Sequence, residues 1–307
     1  MEKIKKAVIT AAGLGTRMLP ISYAVAKEML PIVDLPAVYF LVKEAVDSGI
    51  TDVLIITAKG KEAMEDFFDI PTEYYGILKK KGMSDIAEEL RKIKDGANLY
   101  FMRQNKPTGI ADAIRCARSF VGTEPFCVLY GDDVIFSRTP VLKQLIGIYE
   151  KYQSPVVGIK EVSARDISKY SSLKVNRVDG EKNLYLCSDM IEKPREGEAF
   201  SNLSILGRAL LTPDIFDYVD KLTPGIGGEI QLTDAMAAMA REKGIYALDF
   251  EGKRYDMGSK TGLIKANIVR GLSHPETQDE LREFIKMMAK DLNRWNSDPL
   301  IPLTQKR

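Results

Sequence analysis

Four short apolar runs, at 6–10, 52–57, 98–103 and 125–130, constrain this chain more than any other feature. Each is too short for a typical helix, and segments with helical periodicity lie between them. Apolar runs of this length suit buried strands, and strands alternating with helices build βαβ units. Helices are expected at 36–48, 60–69, 73–95 and 109–121, the first with Pro36 near its start and Gly49 after its end. From about 154 the texture changes to short β-like runs at 155–162, 172–178 and 184–191, joined by turns such as Asp179-Gly180. A strand at 245–250 and helices at 213–221, 231–243 and 259–270 follow. A polar amphipathic helix at 276–295 and a proline-containing tail close the sequence. The expected fold is α/β: a Rossmann-like, mostly parallel mixed sheet flanked by helices, with a β-rich extension carrying a second ligand pocket.

The 307 residues are 45% hydrophobic and 28% charged, enough for a sizeable core. Lys plus Arg number 44 against 43 Asp plus Glu, so the net charge of +1 argues against a nucleic-acid partner. No stretch of more than ten residues lacks a charge, which argues against a membrane span or a signal-peptide core. A cytoplasmic location is expected. The 3 cysteines and 1 histidine are too few for a conventional structural zinc site or a disulfide framework. His274, in Leu272-Ser273-His274-Pro275, reads as a helix-end or surface residue rather than a catalytic base. An enzyme built from this chain would draw its chemistry from Lys, Arg, Asp, Glu and a bound metal.

The first run leads into Ala11-Ala12-Gly13-Leu14-Gly15-Thr16-Arg17-Met18-Leu19-Pro20. Glycines let backbone N–H groups turn toward a phosphate, and Arg17 adds a charge that cannot be titrated away. In an open α/β sheet such a loop lies at the carboxyl edge of a strand, where ligands bind. The dinucleotide fingerprint fails because Met18 stands where its third glycine belongs. A Walker P-loop also fails, since neither Gly60-Lys61-Glu62 nor Gly252-Lys253-Arg254 supplies Gly-Lys-Ser/Thr.

This loop, followed by Lys27-Glu28-Met29-Leu30-Pro31, resembles the sugar-1-phosphate nucleotidylyltransferases, most of all the bacterial and archaeal type of UTP–glucose-1-phosphate uridylyltransferase. The resemblance continues through Arg103-Gln104, Gly131-Asp132-Asp133, Glu192-Lys193-Pro194, Ser201-Asn202-Leu203, Gly228-Glu229-Ile230-Gln231-Leu232-Thr233-Asp234 and Tyr255-Asp256-Met257-Gly258. It implies the nucleotide-diphospho-sugar transferase fold and transfer of UMP from UTP to glucose 1-phosphate with Mg²⁺. It also implies a homodimer or homotetramer. A nucleotidyltransferase domain would span 1–272, with a nucleotide-binding part at 1–153 and a sugar-binding part at 154–272. A C-terminal helical tail would span 273–307.

By the same resemblance, Arg17, Lys27 and Lys193 are catalytic, the first two on the UTP phosphates and Lys193 on the sugar phosphate. Ala12, Gly13, Gly15, Thr16, Glu28, Gln104 and Gly109 would hold UTP and its uracil. Asp133, Ser171, Glu192, Asn202 and Glu229 would face the sugar. Asp132 and Asp256 would hold the metal. Without it two buried aspartates repel, so at least one pKa is expected to rise.

Two departures stand out. Gly109-Ile110-Ala111-Asp112 replaces the family's Gly-Leu-Gly-His. Tyr170-Ser171-Ser172-Leu173 replaces Tyr-Gly-Val, which places a side chain where the glycine backbone approaches the sugar. The alternatives are a uridylyl- or thymidylyltransferase for a different sugar phosphate, or a non-catalytic sugar-nucleotide-binding relative.

Overall fold

The computed structural model describes residues 3–106, 108–225 and 228–290. The first half runs β1 (Lys6–Thr10), a small hairpin of β2 (Pro31–Ile32) and β3 (Leu35–Pro36), α1 (Ala37–Asp47), β4 (Asp52–Thr57), α2 (Ala63–Phe68), α3 (Thr72–Lys80) and α4 (Ser84–Gly96). It continues with β5 (Asn98–Arg103), α5 (Ile110–Cys116), α6 (Arg118–Val121), β6 (Phe126–Tyr130), β7 (Asp133–Phe136) and α7 (Val141–Tyr152). The second half comprises β8 (Val156–Glu161), β9 (Ser171–Arg177), β10 (Leu184–Glu192), β11 (Leu203–Leu211), α8 (Ile215–Val219) and α9 (Leu232–Lys243). It ends with β12 (Ile245–Asp249), β13 (Lys253–Asp256), α10 (Lys260–Gly271) and α11 (Gln278–Lys290).

Nine strands form one sheet in the order β5-β4-β1-β6-β11-β8-β12-β10-β9. Only β11 and β10 run against the rest, the mostly parallel mixed sheet expected from the sequence. The strand period of two divides the core. Ala7, Ile9, Val53 and Ile55 pack under α1, α4, α7 and α10, whereas Val8, Leu54, Ile56 and Val128 pack under α5, α8 and α9. Burial on both faces accounts for the unbroken apolar runs of β1, β4 and β6, whereas β5, at the edge of the sheet, is largely exposed.

Register places the site. Thr10 pairs with Ile56 and with Tyr130, so β1, β4 and β6 end level. The glycine loop, Asp132 and Gln104 therefore leave neighbouring strands at one edge. β13 pairs antiparallel with β7, which sets Asp256 opposite Asp133. The hairpin of β9 and β10 pairs Ser171 with Glu192 and carries a register shift between Cys187 and Asp189.

Several expectations need correction. The single helix at 73–95 is two, because Gly82 takes a left-handed φ of 80° between α3 and α4. The helix at 109–121 is likewise divided, at Ala117. The final helix is described from Gln278 to Lys290; its expected continuation to 295 and the tail lie outside the described residues. His274 is buried, with Nε2 3.2 Å from Asp34 Oδ2, and ties the end of α10 to the loop after β2. Six elements carried no expectation at all: the short strands β2, β3, β7 and β13, the helix α7 and the central β11. Ser204 and Arg208 interrupt the apolar run of β11. Arg208 is nonetheless fully buried, because its guanidinium binds both oxygens of Glu44 on α1, at 3.0 and 2.7 Å.

Candidate active site

Two adjoining cavities open at the carboxyl edge of β1 and β6, one of about 370 Å³ and one of about 530 Å³. The first is walled by Ala12, Gly13, Gly15, Thr16, Lys27, Gln104, Gly109 and Glu229. The second is walled by Asp133, Tyr170, Ser171, Arg254 and Asp256. Arg17, Tyr130, Asp132, Glu192 and Lys193 belong to both. Residues far apart in sequence thus line one continuous depression with cations at its centre.

The glycine loop leaves β1 with Ala11 still tied to the sheet, its N–H donating to Ile56 O at 2.8 Å. Beyond it, the N–H groups of Ala12, Gly13, Leu14 and Gly15 meet no acceptor among the described residues. A row of free amides beside Arg17 and Lys27 is an anion-binding surface. Gly109 is required where it stands. Its φ is 116°, and a Cβ there would overlap the backbone of Ile230.

Gln104 is buried, and its Nε2 donates to Asp112 Oδ2 at 2.7 Å and to Gly109 O at 3.3 Å. Arg115 holds the same carboxylate at 3.1 Å. A carboxylate only accepts, so Asp112 fixes the amide with its NH₂ inward and leaves Oε1 available to a ligand. The departure from the family pattern at position 112 therefore orients the glutamine beside it.

Lys27 Nζ lies 2.7 Å from Asp132 Oδ2, and Arg17 reaches Asp256 at 2.7 Å and Asp132 at 3.4 Å. Burial pushes the Asp132 carboxyl up, but Lys27 and Arg17 outweigh it and leave the pKa below its ordinary value. The expected rise falls instead on Asp133, which burial pushes up to about 6 although Arg254 lies 2.6 Å away. The Asp132 and Asp256 carboxylates converge on the space that Gly258 leaves. A Cβ on that glycine would stand 2.8 Å from Asp132 Oδ2 and 3.0 Å from Asp256 Oδ1. No group of three or more His, Cys, Asp or Glu among the described residues could hold a metal. Two convergent carboxylates, paired here with Lys27 and Arg17, are a donor set that suits Mg²⁺, which usually takes only a few carboxylates and draws its other ligands from water and phosphate oxygens.

On the other wall, Thr233 Oγ1 donates to Glu192 Oε2 at 2.8 Å, and burial raises the Glu192 pKa. Lys193 holds a left-handed φ of 47°, which costs a non-glycine residue energy, and its N–H donates to Tyr170 O at 2.8 Å. Ser171 lines the second cavity, but its hydroxyl lies 3.2 Å from Ser204 Oγ and accepts from Ile205 N–H at 3.1 Å. Glu229 stands in the first cavity and accepts from Gln231 Nε2 at 2.8 Å. Two expected residues do not reach these walls. Asn202 offers its backbone carbonyl to Val162 N–H at 2.9 Å. Glu28 is buried behind the glycine loop, with Oε2 on Lys61 at 2.8 Å and Oε1 without a partner.

The sequence reading passed over Tyr130, Tyr170, Gln231, Arg254 and Lys61. Arg254 had a signal in its place two residues before Asp256, and its guanidinium packs 5.1 Å from the Tyr170 ring centre. Gln231 sat inside a quoted motif without a role. Tyr170 likewise sat in the quoted Tyr170-Ser171-Ser172-Leu173 segment without a role, and nothing in the residue pattern marked Tyr130.

Free amides, convergent cations and paired carboxylates at a Rossmann-like sheet edge define a site for joining two phosphate-bearing molecules. The family profile for nucleotidyl transferases matches residues 6–269, and the chain belongs to that family. Among curated relatives, the UTP–glucose-1-phosphate uridylyltransferase of Staphylococcus epidermidis is 45% identical over 94% of this chain and 99% of its own. UTP–glucose-1-phosphate uridylyltransferase 2 of Staphylococcus saprophyticus is 46% identical over the same shares. A crystal structure of UDP-glucose pyrophosphorylase complexed with UDP-glucose superposes with a TM-score of 0.82 at 38% identity, covering 88% of this chain and all of the other. A UTP-bound UGPase from Acinetobacter baumannii gives a TM-score of 0.81 at 34% identity, over 92% and 98% of the two chains.

Proposed function

We propose that this chain transfers UMP from UTP to glucose 1-phosphate, giving UDP-glucose and pyrophosphate. The observation that carries the reading is the shared wall of Arg17, Asp132, Glu192 and Lys193 between two cavities, one of them bordered by free loop amides. A nucleoside triphosphate in the first and a sugar phosphate in the second would meet at that wall. The names of the relatives supply uracil and glucose.

A sugar-phosphate oxygen attacks the α-phosphorus of UTP in line, the new P–O bond forms, and the bond to pyrophosphate breaks. The attacking phosphate is already ionised near neutral pH, so no general base is required. The obstacle is repulsion between two anions and the charge that grows on the five-coordinate phosphorus. Arg17, Lys27 and the loop amides hold the triphosphate, and Lys193 holds the sugar phosphate. Gln104, fixed by Asp112, meets the base, and Glu192 accepts from sugar hydroxyls. A Mg²⁺ held by Asp132 and Asp256 would neutralise phosphate charge and act as a Lewis acid.

The reading divides labour between residues 1–153 for the nucleotide and 154–272 for the sugar. It also includes a homodimer or homotetramer in the cytoplasm. The exposed Phe284 and Met287 of α11 support assembly, and no helix among the described residues is long and apolar enough to cross a membrane. A pyrophosphate-release screen across nucleoside triphosphates and sugar phosphates tests the reaction. UTP with glucose 1-phosphate should be the fastest pair. A faster dTTP or other-sugar pair would select the nearest alternative, and no release from any pair would leave a binding protein.

A further inference from the structure

We infer that Lys61 is a positioning residue, which turns the amides of the glycine loop toward the nucleotide from behind. Lys61 follows β4 and a left-handed Gly60 of φ 84°, and its side chain is only 10% exposed. Its ammonium donates to Ala11 O at 2.6 Å, Gly13 O at 2.8 Å and Glu28 Oε2 at 2.8 Å. An ammonium has three protons, and this one meets three acceptors.

The consequence follows from peptide geometry. In a trans peptide the C=O and the following N–H point opposite ways. Fixing the carbonyls of Ala11 and Gly13 on the Lys61 side sends the N–H groups of Ala12 and Leu14 away from it. Those amides meet no acceptor among the described residues, and both residues line the first cavity. The third bond reaches Glu28, whose neighbour Lys27 contacts Asp132. One buried charge therefore sets the loop and anchors the turn that carries Lys27. Burying an ammonium costs free energy that an apolar side chain would avoid. The two inward carbonyls need a donor, however, and no other side chain among the described residues bonds them. The Gly60-Lys61 pair is not a P-loop, and its lysine orients the phosphate-binding amides without touching phosphate.

This inference rests on the reading that the loop holds UTP. The test is Lys61→Met, which keeps most of the unbranched stem and removes all three donors. Binding of UTP and of glucose 1-phosphate is measured separately by calorimetry on the full chain, alongside steady-state kinetics. The UTP Kd should rise roughly tenfold or more, the scale of lost charged hydrogen bonds. Glucose 1-phosphate binding should stay near the unsubstituted value, and the KM for UTP should rise more than kcat falls. Unchanged UTP binding, or equal loss of both ligands, would overturn the inference. If the unsubstituted chain binds no UTP, the functional reading fails first. If Lys61→Met does not fold, hydrogen exchange on the unsubstituted protein decides. UTP should slow exchange at Ala12 and Leu14 while glucose 1-phosphate does not, and exchange there that ignores UTP would overturn the inference.

Discussion

Arg17 Nη1 lies 2.7 Å from Asp256 Oδ2, which joins the first loop of the chain to the strand that ends 239 positions later. The contact closes the site across its mouth. It also sets a competition, because the guanidinium occupies carboxylate oxygens that a divalent cation needs.

Arg17→Gln should therefore bind Mg²⁺ more tightly than the unsubstituted chain when UTP is absent, by several-fold in a calorimetric titration. Turnover should nevertheless fall by ~100-fold or more, the scale of losing one electrostatic partner of the transition state. Unchanged metal affinity would show that Arg17 and the cation do not share the carboxylates.

The depressed pKa of Asp132 predicts a pH dependence of definite sign. A carboxylate whose folded pKa lies below the unfolded value of ~3.9 contributes stability in full above that pH. The contribution disappears as pH falls through the folded pKa. Thermal melts in metal-free buffer from pH 7 downward should show the unsubstituted protein losing Tm more steeply below pH ~4 than Asp132→Asn. Parallel curves would mean that Lys27 and Arg17 do not stabilise this charge.

Ser171 uses its hydroxyl on Ser204 and Ile205, so Ser171→Gly should act first on stability. Removing the acceptor of a buried N–H costs ~1–3 kcal/mol, a Tm loss of a few degrees in a chain of this size. Efficiency with glucose 1-phosphate should not rise. A clear gain with that substrate would show that the side chain narrows the sugar pocket after all.

Lys193→Ala should reduce kcat/KM for the sugar phosphate by roughly 10- to 150-fold, the equivalent of ~1.5–3 kcal/mol for a charged contact. UTP binding should remain nearly intact in calorimetry. An equal loss of UTP affinity would place Lys193 on the triphosphate instead.

The parts of the fold legible in sequence were those with local signals. The runs of β1, β4 and β6 lie within a residue of expectation because burial on both faces leaves no polar interruption, and β5 matches as well although it is a largely exposed edge strand. β11 was invisible because Arg208 reads as a surface charge until Glu44, 164 positions away, is known to neutralise it. The glycine loop announced itself by residue type and spacing, whereas the roles of Lys27 and Asp132 came with the family resemblance. Lys61 did not, since its work depends on two backbone carbonyls, and a carbonyl's direction has no residue code. Glu28 and Gln104 both had suitable chemistry, but only three-dimensional packing shows that one sits behind the loop and the other in the wall.

The central claim is direct transfer between two substrates held together, and a radiolabel on the α-phosphorus of UTP tests it most directly. Incubated with Mg²⁺ and UTP alone, the denatured protein should carry no label. Addition of glucose 1-phosphate should move the label into UDP-glucose, with one pyrophosphate released for each molecule formed. Label retained on the protein, or released as free UMP while glucose 1-phosphate is untouched, would contradict the account.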